Sequence, residues 1–247
     1  MPKFNKIANI FMMYSSSMGV SLGFLGIVHN LSSNPSNASA LAKYIPLIGI
    51  AMKLWIKDPQ FQNVGSQAIS HFVSAGKGAL FYNTLPVLDM ALKLAVDLES
   101  TCNAITTLAD YVGEFAPMFV NDMLQLISQD VDNEYVPLLT QCILSIISYN
   151  KSEDVVFDRL MEIFDLINTS TIDINSASLL EICAVLKNPE KMLLFEPVIR
   201  NLVDYTKQQK IKIAIGAAKC ILTLSSICPE LVDPFGDEII EISQRVS

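Results

Sequence analysis

The chain has 247 residues, of which 51% are hydrophobic and 17% are charged, and its formal net charge is −8. This composition excludes a disordered chain, and the length permits a large buried core. The acidic balance argues against general binding to nucleic acid, since proteins that bind phosphate backbones usually carry a basic stripe. The charge is unevenly distributed, because residues 1–57 contain five lysines and no acidic residue.

The N-terminal stretch has two interpretations. Between residues 7 and 42 there is no charged residue, and the apolar run at 10–28 is long enough to cross a bilayer, with Lys3 and Lys6 before it. Three consecutive serines, three glycines and His29 dilute this run, however. We therefore favour a pair of packed helices with a break at the serines over a signal or transmembrane segment, and association of this region with a membrane stays open.

From residue 68 onward, two sets of residues recur about every 38 positions. A small residue returns at intervals of 36, 38, 41 and 37, and a phenylalanine at intervals of 38, 38, 38 and 40. The small residues are Ala68, Ala104, Cys142, Cys183 and Cys220, and the phenylalanines are Phe81, Phe119, Phe157, Phe195 and Phe235. Between them the apolar residues have helical spacing, as in Leu85, Leu88 and Leu92. The small residue is expected at a packing contact of one helix in each repeat.

In chain order, these patterns predict a short N-terminal helix followed by six units of two helices each. Prolines and helix-capping Ser, Asn and Asp separate the helices, and "GKG" at 76–78 is interpreted as a turn within the second unit. Units of two helices at this period are typical of stacked helical hairpins. The prediction is an all-α, right-handed α-solenoid forming a single domain, with units at about 16–57, 58–98, 99–133, 134–170, 171–208 and 209–247.

Proline near the start of the second helix, in "IPLIGIA", "LPVLDMA" and "FEPVIRN", together with the period, resembles the HEAT/armadillo superfamily over nearly the whole chain. The stretch "EFAPMFVNDMLQLI" at 114–127 is similar to the start of second helices in karyopherins of the importin-β type. The Asp and Arg ladder usual in HEAT units is absent, so the resemblance implies a divergent HEAT-like or armadillo-like array. The karyopherin resemblance implies nuclear transport or cargo binding as one alternative function.

Residues capable of catalysis or metal binding are sparse. His29 and His71 lie in apolar helical contexts without Asp, Glu or Cys at ligand spacing, and are interpreted as structural. The five cysteines include no C-x-x-C pair, so neither a disulfide framework nor a zinc site is indicated. They are interpreted first as small buried apolar residues. The sequence therefore predicts a protein that is not an enzyme and has no cofactor or metal.

The acidic residues concentrate in the predicted second helices. Over the last five units these segments hold thirteen acidic and four basic residues, whereas the first helices hold three acidic and four basic residues. In solenoids of this class the second helices line the concave face, so the hypothesis is an acidic groove that binds a basic protein segment; solvated helix faces are the alternative. Trp55 is either a binding anchor or a core or cap residue. The candidate binding residues are Asp89, Asp122, Asp158, Glu162, Glu196, Asp204 and Trp55.

The first helices are poor in charge, as in "VPLLTQCILSIISYN" at 136–150, which has none. An apolar outer row of this kind predicts a second interface, unless the array wraps these helices inside. The functional prediction is a cytoplasmic or nucleocytoplasmic binding scaffold or adaptor with a protein partner. A membrane-trafficking scaffold that uses the basic N-terminal region is a further alternative.

Overall fold

The computed structural model describes residues 2–129 and 134–149, and in the C-terminal part 200, 202–204, 206–207, 217–218, 221–222, 225, 229–238 and 240–241. Throughout these ranges the chain forms α-helices and 3-10 helices joined by short turns, without a strand. The prediction of an all-α fold is confirmed. Contacts divide the chain into two compact units, residues 1–146 and 147–247.

Two helices open the first unit, α1 (Pro2–Tyr14) and α2 (Met18–Ser32). The serines at 15–17 form the turn between them, and the amide of Ser17 donates to the carbonyl of Tyr14 at 2.9 Å. The packed pair with a break at the serines is therefore confirmed. Among the described residues, every helix is too short or too polar to span a bilayer.

The next helices begin at the capping residues that the sequence supplies. Helix α3 (Pro35–Leu41) is capped by Asn34, whose Oδ1 accepts from the amide of Ser36 at 3.0 Å. Helix α4 spans Ile45–Leu54, and α5 (Pro59–Ser74) is capped by Asp58. Helix α5 ends at Ser74, and the following Gly76 has φ of 72°, which allows the amide of Lys77 to donate to the carbonyl of Phe72 at 2.9 Å. The predicted turn at "GKG" is thus confirmed.

The remaining α-helices of this part are α6 (Leu85–Lys93), α7 (Leu98–Thr107), α8 (Ala116–Ser128) and α9 (Val136–Tyr149). Helices α4, α6 and α8 share one kind of start, since a 3-10 segment precedes each and a proline lies in its first turn, where a missing N–H costs nothing. The 3-10 segments are Ala42–Tyr44, Gly78–Thr84 and Gly113–Phe115. In the second unit, a helix at Pro229–Val232 leads into a 3-10 turn at Asp233–Phe235.

Within the first unit, contacts arrange the helices in two rows. Helix α2 contacts α5, and α5 contacts α7; we call these three helices the first row. Helix α4 contacts α6, and α6 contacts α8; these three are the second row. The rows join through contacts such as α4 with α5 and α6 with α7. Each row therefore links helices that are about one repeat apart in the sequence.

The two sets of residues that recur about every 38 positions lie in the core; we call them the small-residue ladder and the phenylalanine ladder. Ala68, Ala104 and Cys142 are buried on α5, α7 and α9, as expected for small residues at packing contacts. Phe81 and Phe119 are fully buried, and Phe235 is buried in the second unit. Removing one such ring from water contributes about 1.5–3 kcal/mol to folding. The other members of the ladders, Phe157, Phe195, Cys183 and Cys220, lie outside the described residues.

The rows meet closely at Gly65 of α5. A Cβ atom added there would lie 2.5 Å from Sδ and 2.7 Å from Cγ of Met52 on α4, whose side chain is fully buried. Glycine thus permits the first and second rows to approach at this point.

Candidate functional site

The second row carries a lysine between two aspartates. Lys93 Nζ on α6 donates to Oδ2 of Asp89, one turn earlier on the same helix, at 2.8 Å. The same ammonium lies 3.4 Å from Oδ2 of Asp122 on α8. The carboxylate side chains are 11% and 15% exposed, whereas that of Lys93 is half exposed. We call these three residues the Lys93 bridge.

Burial governs the electrostatics of the Lys93 bridge. The pKa of Asp122 is raised, first because burial disfavours its charged form and then because Asp89 lies beside it, while Lys93 acts in the opposite direction. The hydrogen bond to Asp89 raises the pKa of Lys93. Two buried carboxylate oxygens, Asp89 Oδ1 and Asp122 Oδ2, have no hydrogen-bond partner among the described residues. With both carboxylates ionised, the bridge has a formal charge of −1.

The second unit contains a similar arrangement. Lys207 Nζ lies 3.7 Å from Oδ1 of Asp204, three residues earlier, and donates to Oε2 of Glu238 at 2.7 Å. The carboxylate side chains are 68% and 46% exposed, so this Lys207 bridge is in water, unlike the Lys93 bridge. The separation from Asp204 to Glu238 is 34 residues and from Asp89 to Asp122 it is 33, which is close to one repeat.

The structure places the predicted binding residues in three groups. Asp89 and Asp122 come together in the Lys93 bridge, and Asp204 belongs to the Lys207 bridge. Trp55 follows the last residue of α4, is half-buried, and stacks on Phe61 with ring centroids 5.6 Å apart. The stack on Phe61 agrees with the core or cap alternative, and the binding role of Trp55 stays a prediction. Asp158, Glu162 and Glu196 lie outside the described residues.

The first row has a polar surface that the sequence reading missed. A cavity of about 520 Å³ lies between α5 and α7, and an amide and a hydroxyl link its walls, since Asn63 Nδ2 donates to Ser100 Oγ at 3.1 Å. Asn63 and Ser100 are 37 residues apart, which is about one repeat, and this spacing is the feature of the sequence that could have predicted their contact. The lining consists of Asn63, Ser66, Gln67, Ser70, Asp97, Glu99, Ser100, Asn103, Thr106 and Thr107.

The polar lining of this cavity differs from the apolar outer surface that the sequence predicts for the first helices of the repeats. On α9 the apolar side chains are mainly buried within the chain, among them Leu139, Ile143 and Ile147. The apolar surface expected on α5, α7 and α9 is therefore replaced by hydroxyl and amide groups or is covered by the chain itself. The second interface itself stays a prediction.

The two histidines of the chain stack on each other across α2 and α5. The rings of His29 and His71 are 4.9 Å apart and inclined by 16°. His71 Nδ1 is 3.2 Å from the carbonyl oxygen of His29 and 3.3 Å from Ser32 Oγ. Burial, followed by the proximity of His71, lowers the pKa of His29. Each histidine was predicted to be structural on its own; the structure adds that they form a pair.

The buried thiols of the first unit also face each other. Cys142 Sγ on α9 lies 3.6 Å from the carbonyl oxygen of Cys102 on α7, and both cysteines are free. The contact with Cys142, together with burial, raises the pKa of the Cys102 thiol, so it remains protonated. Both are the small buried residues that the sequence predicted. Across the described parts of the chain, no cluster of three or more His, Cys, Asp or Glu side chains is arranged to hold a metal ion.

Comparison of this chain with protein families, with curated proteins and with solved structures finds no match.

Proposed function

We propose that the chain is a binding scaffold that holds a basic segment of a partner protein along its second row. The observation that carries this proposal is the Lys93 bridge, in which carboxylates from two neighbouring helices converge on one ammonium group. A surface that already holds a lysine of its own in this way has the geometry needed for a lysine or arginine of a partner.

The chemistry of the bridge favours a cationic ligand. With both carboxylates ionised its formal charge is −1, and the carboxylate side chains are 11% and 15% exposed. A lysine ammonium has three donors and an arginine five, so a partner side chain can donate to the exposed part of the bridge. Charge-assisted hydrogen bonds are stronger than neutral ones, and partly buried carboxylates are poorly screened by salt.

The second unit has a bridge of the same composition. The Lys207 bridge repeats the lysine between two carboxylates. Each bridge is proposed to bind a basic residue of a partner by itself. Binding at the exposed Lys207 bridge would weaken more with rising ionic strength than binding at the Lys93 bridge, whose carboxylates are largely buried.

Within this proposal, the helices of the chain form an α-solenoid of HEAT or armadillo type. Two features support it: the contacts from α2 to α5 to α7 and from α4 to α6 to α8, and the shared proline in the first turn of the second-row helices. In such an array no unit buries its own apolar face, and neighbouring units complete the core. The scaffold is proposed to have no enzymatic role and to act in the cytoplasm.

A karyopherin-like transport receptor is the second candidate. The stretch that resembles karyopherins forms the 3-10 segment Gly113–Phe115 and helix α8, with Pro117 in the first turn. Asp122 of the Lys93 bridge lies on this same helix. A basic transport signal is a ligand of the class proposed above, so this candidate is a special case of the same binding mode.

The proposal is tested with a fluorescein-labelled, lysine-rich peptide and a second peptide in which glutamine replaces each lysine. Fluorescence anisotropy at low and moderate salt compares the wild type with Asp89→Asn/Asp122→Asn. The double variant should bind the lysine-rich peptide about tenfold more weakly, which corresponds to the loss of one close charge contact. The glutamine peptide should bind neither protein.

A matched control removes two charges elsewhere in the first unit. Glu99→Gln/Asp110→Asn changes the net charge equally but leaves the second row intact. This control should bind like the wild type. If it loses as much affinity as Asp89→Asn/Asp122→Asn, net charge alone drives binding and the second row is not the binding surface. Thermal melts of all variants confirm that each one is folded.

A further inference from the structure

Helix α1 presents a stripe of basic and apolar side chains to solvent. Lys3, Lys6, Ile10, Met13 and Tyr14 are all exposed, and their spacing of 3, 4, 3 and 1 residues places them on one face of the helix. Met13 is 72% exposed, the highest value among the large apolar residues described. We call these five residues the α1 stripe.

The opposite face of α1 attaches the helix to the first unit. Phe4, Ala8 and Phe11 are buried, and the ring of Phe11 stacks on Phe24 of α2 at 4.4 Å. Phe4 also contacts the ring of Tyr44, with centroids 4.7 Å apart. The orientation of the α1 stripe is therefore fixed by packing, so its exposure is a property of the folded unit.

The charge around the stripe has a single sign. The first acidic residue of the chain is Asp58, and Lys3 and Lys6 make no ion pair with any residue that the structure describes. Lys43 adds a third cation near the same helix, since its Nζ lies 3.4 Å from Oδ1 of Asn5. This surface is complementary to an anionic one.

We propose that the α1 stripe docks the protein on the surface of an anionic lipid bilayer. Helix α1 lies in the interface with its C-terminal end deeper than its N-terminal end. Ile10, Met13 and Tyr14 enter the boundary between headgroups and acyl chains, and Lys3 and Lys6 contact lipid phosphates. This role is separate from the second row and does not depend on it.

The dimensions of the stripe agree with this placement. The rise from Lys6 to Met13 along the helix axis is about 10 Å, which is the largest difference in depth that a tilt of α1 gives the two residues, and amphipathic helices insert their apolar face about 5–10 Å into the boundary. The lysines therefore stay at phosphate level while the apolar end reaches the acyl boundary. No charge has to be buried, because residues 7–42 contain none.

The exposure of the region favours lipid over a protein partner. The apolar residues lie at a helix end, and exposure continues across the turn at 15–17 to Met18 of α2. A fluid lipid interface accommodates such side chains without a matching cavity, whereas a protein partner must supply one. Lysines beside exposed apolar residues are typical of helices that bind anionic membranes.

The test is co-flotation of the full chain with vesicles of phosphatidylcholine alone and of phosphatidylcholine mixed with phosphatidylserine. The wild type should float with the mixed vesicles only. Ile10→Ser/Met13→Ser/Tyr14→Ser should lower the bound fraction at least tenfold, because three partly inserted side chains are lost. Lys3→Gln/Lys6→Gln should lower it severalfold and reduce its dependence on salt.

A control variant removes two exposed apolar side chains elsewhere in the first unit. Leu54 and Leu80 are about as exposed as Ile10, and neither lies on α1. Leu54→Ser/Leu80→Ser should float like the wild type. If this control loses binding as the stripe variants do, nonspecific hydrophobic adsorption explains the flotation and the proposal is overturned.

A second readout places the stripe in the bilayer directly. Met13→Trp in a Trp55→Phe background has one tryptophan, since Trp55 is the single native one. Its emission should shift to the blue on addition of the phosphatidylserine vesicles, and lipids brominated in the acyl chain should quench it. Absence of flotation, equal binding to neutral vesicles, an unshifted emission, or a stripe-dependent dimer or acidic protein complex without lipid binding would each overturn the proposal.

Discussion

The first and second rows of the first unit stack their helices in the same way but join them with different polar groups. Between α2, α5 and α7 the links are neutral: the stacked imidazoles of His29 and His71, and the hydrogen bond from Asn63 to Ser100. Between α6 and α8 the link is ionic, with Lys93 between two carboxylates. Salt and pH should therefore affect the rows differently, although the same apolar core lies between them.

The largest expected effect comes from a substitution that disturbs both rows together. Gly65→Ala should lower the free energy of unfolding by about 1–3 kcal/mol, because the new methyl group would overlap the buried side chain of Met52 and force the rows apart. Urea denaturation followed by circular dichroism measures the change.

The matched control for this substitution is Gly23→Ala on α2, where an added Cβ meets nothing within 4 Å. It should stabilise the protein by up to about 1 kcal/mol, because alanine is the better helix former. If Gly65→Ala is also stabilising, the close approach of the rows at Met52 is wrong.

Removing the cation of the Lys93 bridge should affect the second row alone. Lys93→Met leaves two largely buried carboxylates facing each other, and should lower the free energy of unfolding by about 1–2 kcal/mol after allowance for the exposure of the lysine. Lys53→Met, also exposed and in the last turn of its helix, should stay within about 0.5 kcal/mol of the wild type. Equal losses in the two variants would show that the bridge adds nothing specific.

The histidine pair should make the first row sensitive to mild acid. The folded-state pKa of His29 is below its ordinary value of 6.5, so below pH 6.5 the unfolded chain takes up a proton before the folded one does. The free energy of unfolding should then decrease as the pH falls from 6.5 to the folded-state pKa. In His29→Gln this decrease should be smaller; a pH profile parallel to that of the wild type would contradict the stacked, desolvated pair.

The smallest expected effect is a response of the second row in the opposite direction. The pKa of Asp122 is above its ordinary value of 3.8 in the folded state, so its ionised form opposes folding. As the pH falls through the folded-state pKa toward 3.8, this opposition disappears and the wild type gains stability relative to Asp122→Asn. Chemical denaturation of both proteins over this range measures the difference in the free energy of unfolding, which should no longer depend on pH below 3.8. A difference that grows with acid instead would mean that Lys93 outweighs burial at this carboxylate.

Much of this fold follows from the sequence alone. The period of the two ladders predicted helices with small residues at packing contacts, and Ala68 and Ala104 are buried. The structure adds that Phe81 and Phe119 are buried too. The capping residue Asp58 begins α5 and the "GKG" turn follows the end of α5, where each was expected. These features are either local or repeated along the chain, so the order of residues alone is enough to predict them.

The candidate site was harder to predict, because it depends on which helices are neighbours. The acidic excess of the second helices indicated Asp89 and Asp122, but not that one lysine lies between them, since that needs the register of α6 against α8. The polar cavity between α5 and α7 and the histidine pair were missed for the same reason. Asn63 with Ser100 and His29 with His71 have meaning only across two helices that are one repeat apart.

The contacts within each row also bear on how the chain folds during synthesis. Helix α2 finds its partner in α5, and α5 finds its own in α7, so each packing step closes a loop of similar length. The entropy lost in closing such a loop depends only weakly on its length, and every step costs about the same. Helices α5 and α7 can therefore dock on the preceding helix of the first row as soon as they leave the ribosome, without waiting for residues that are still to be synthesised.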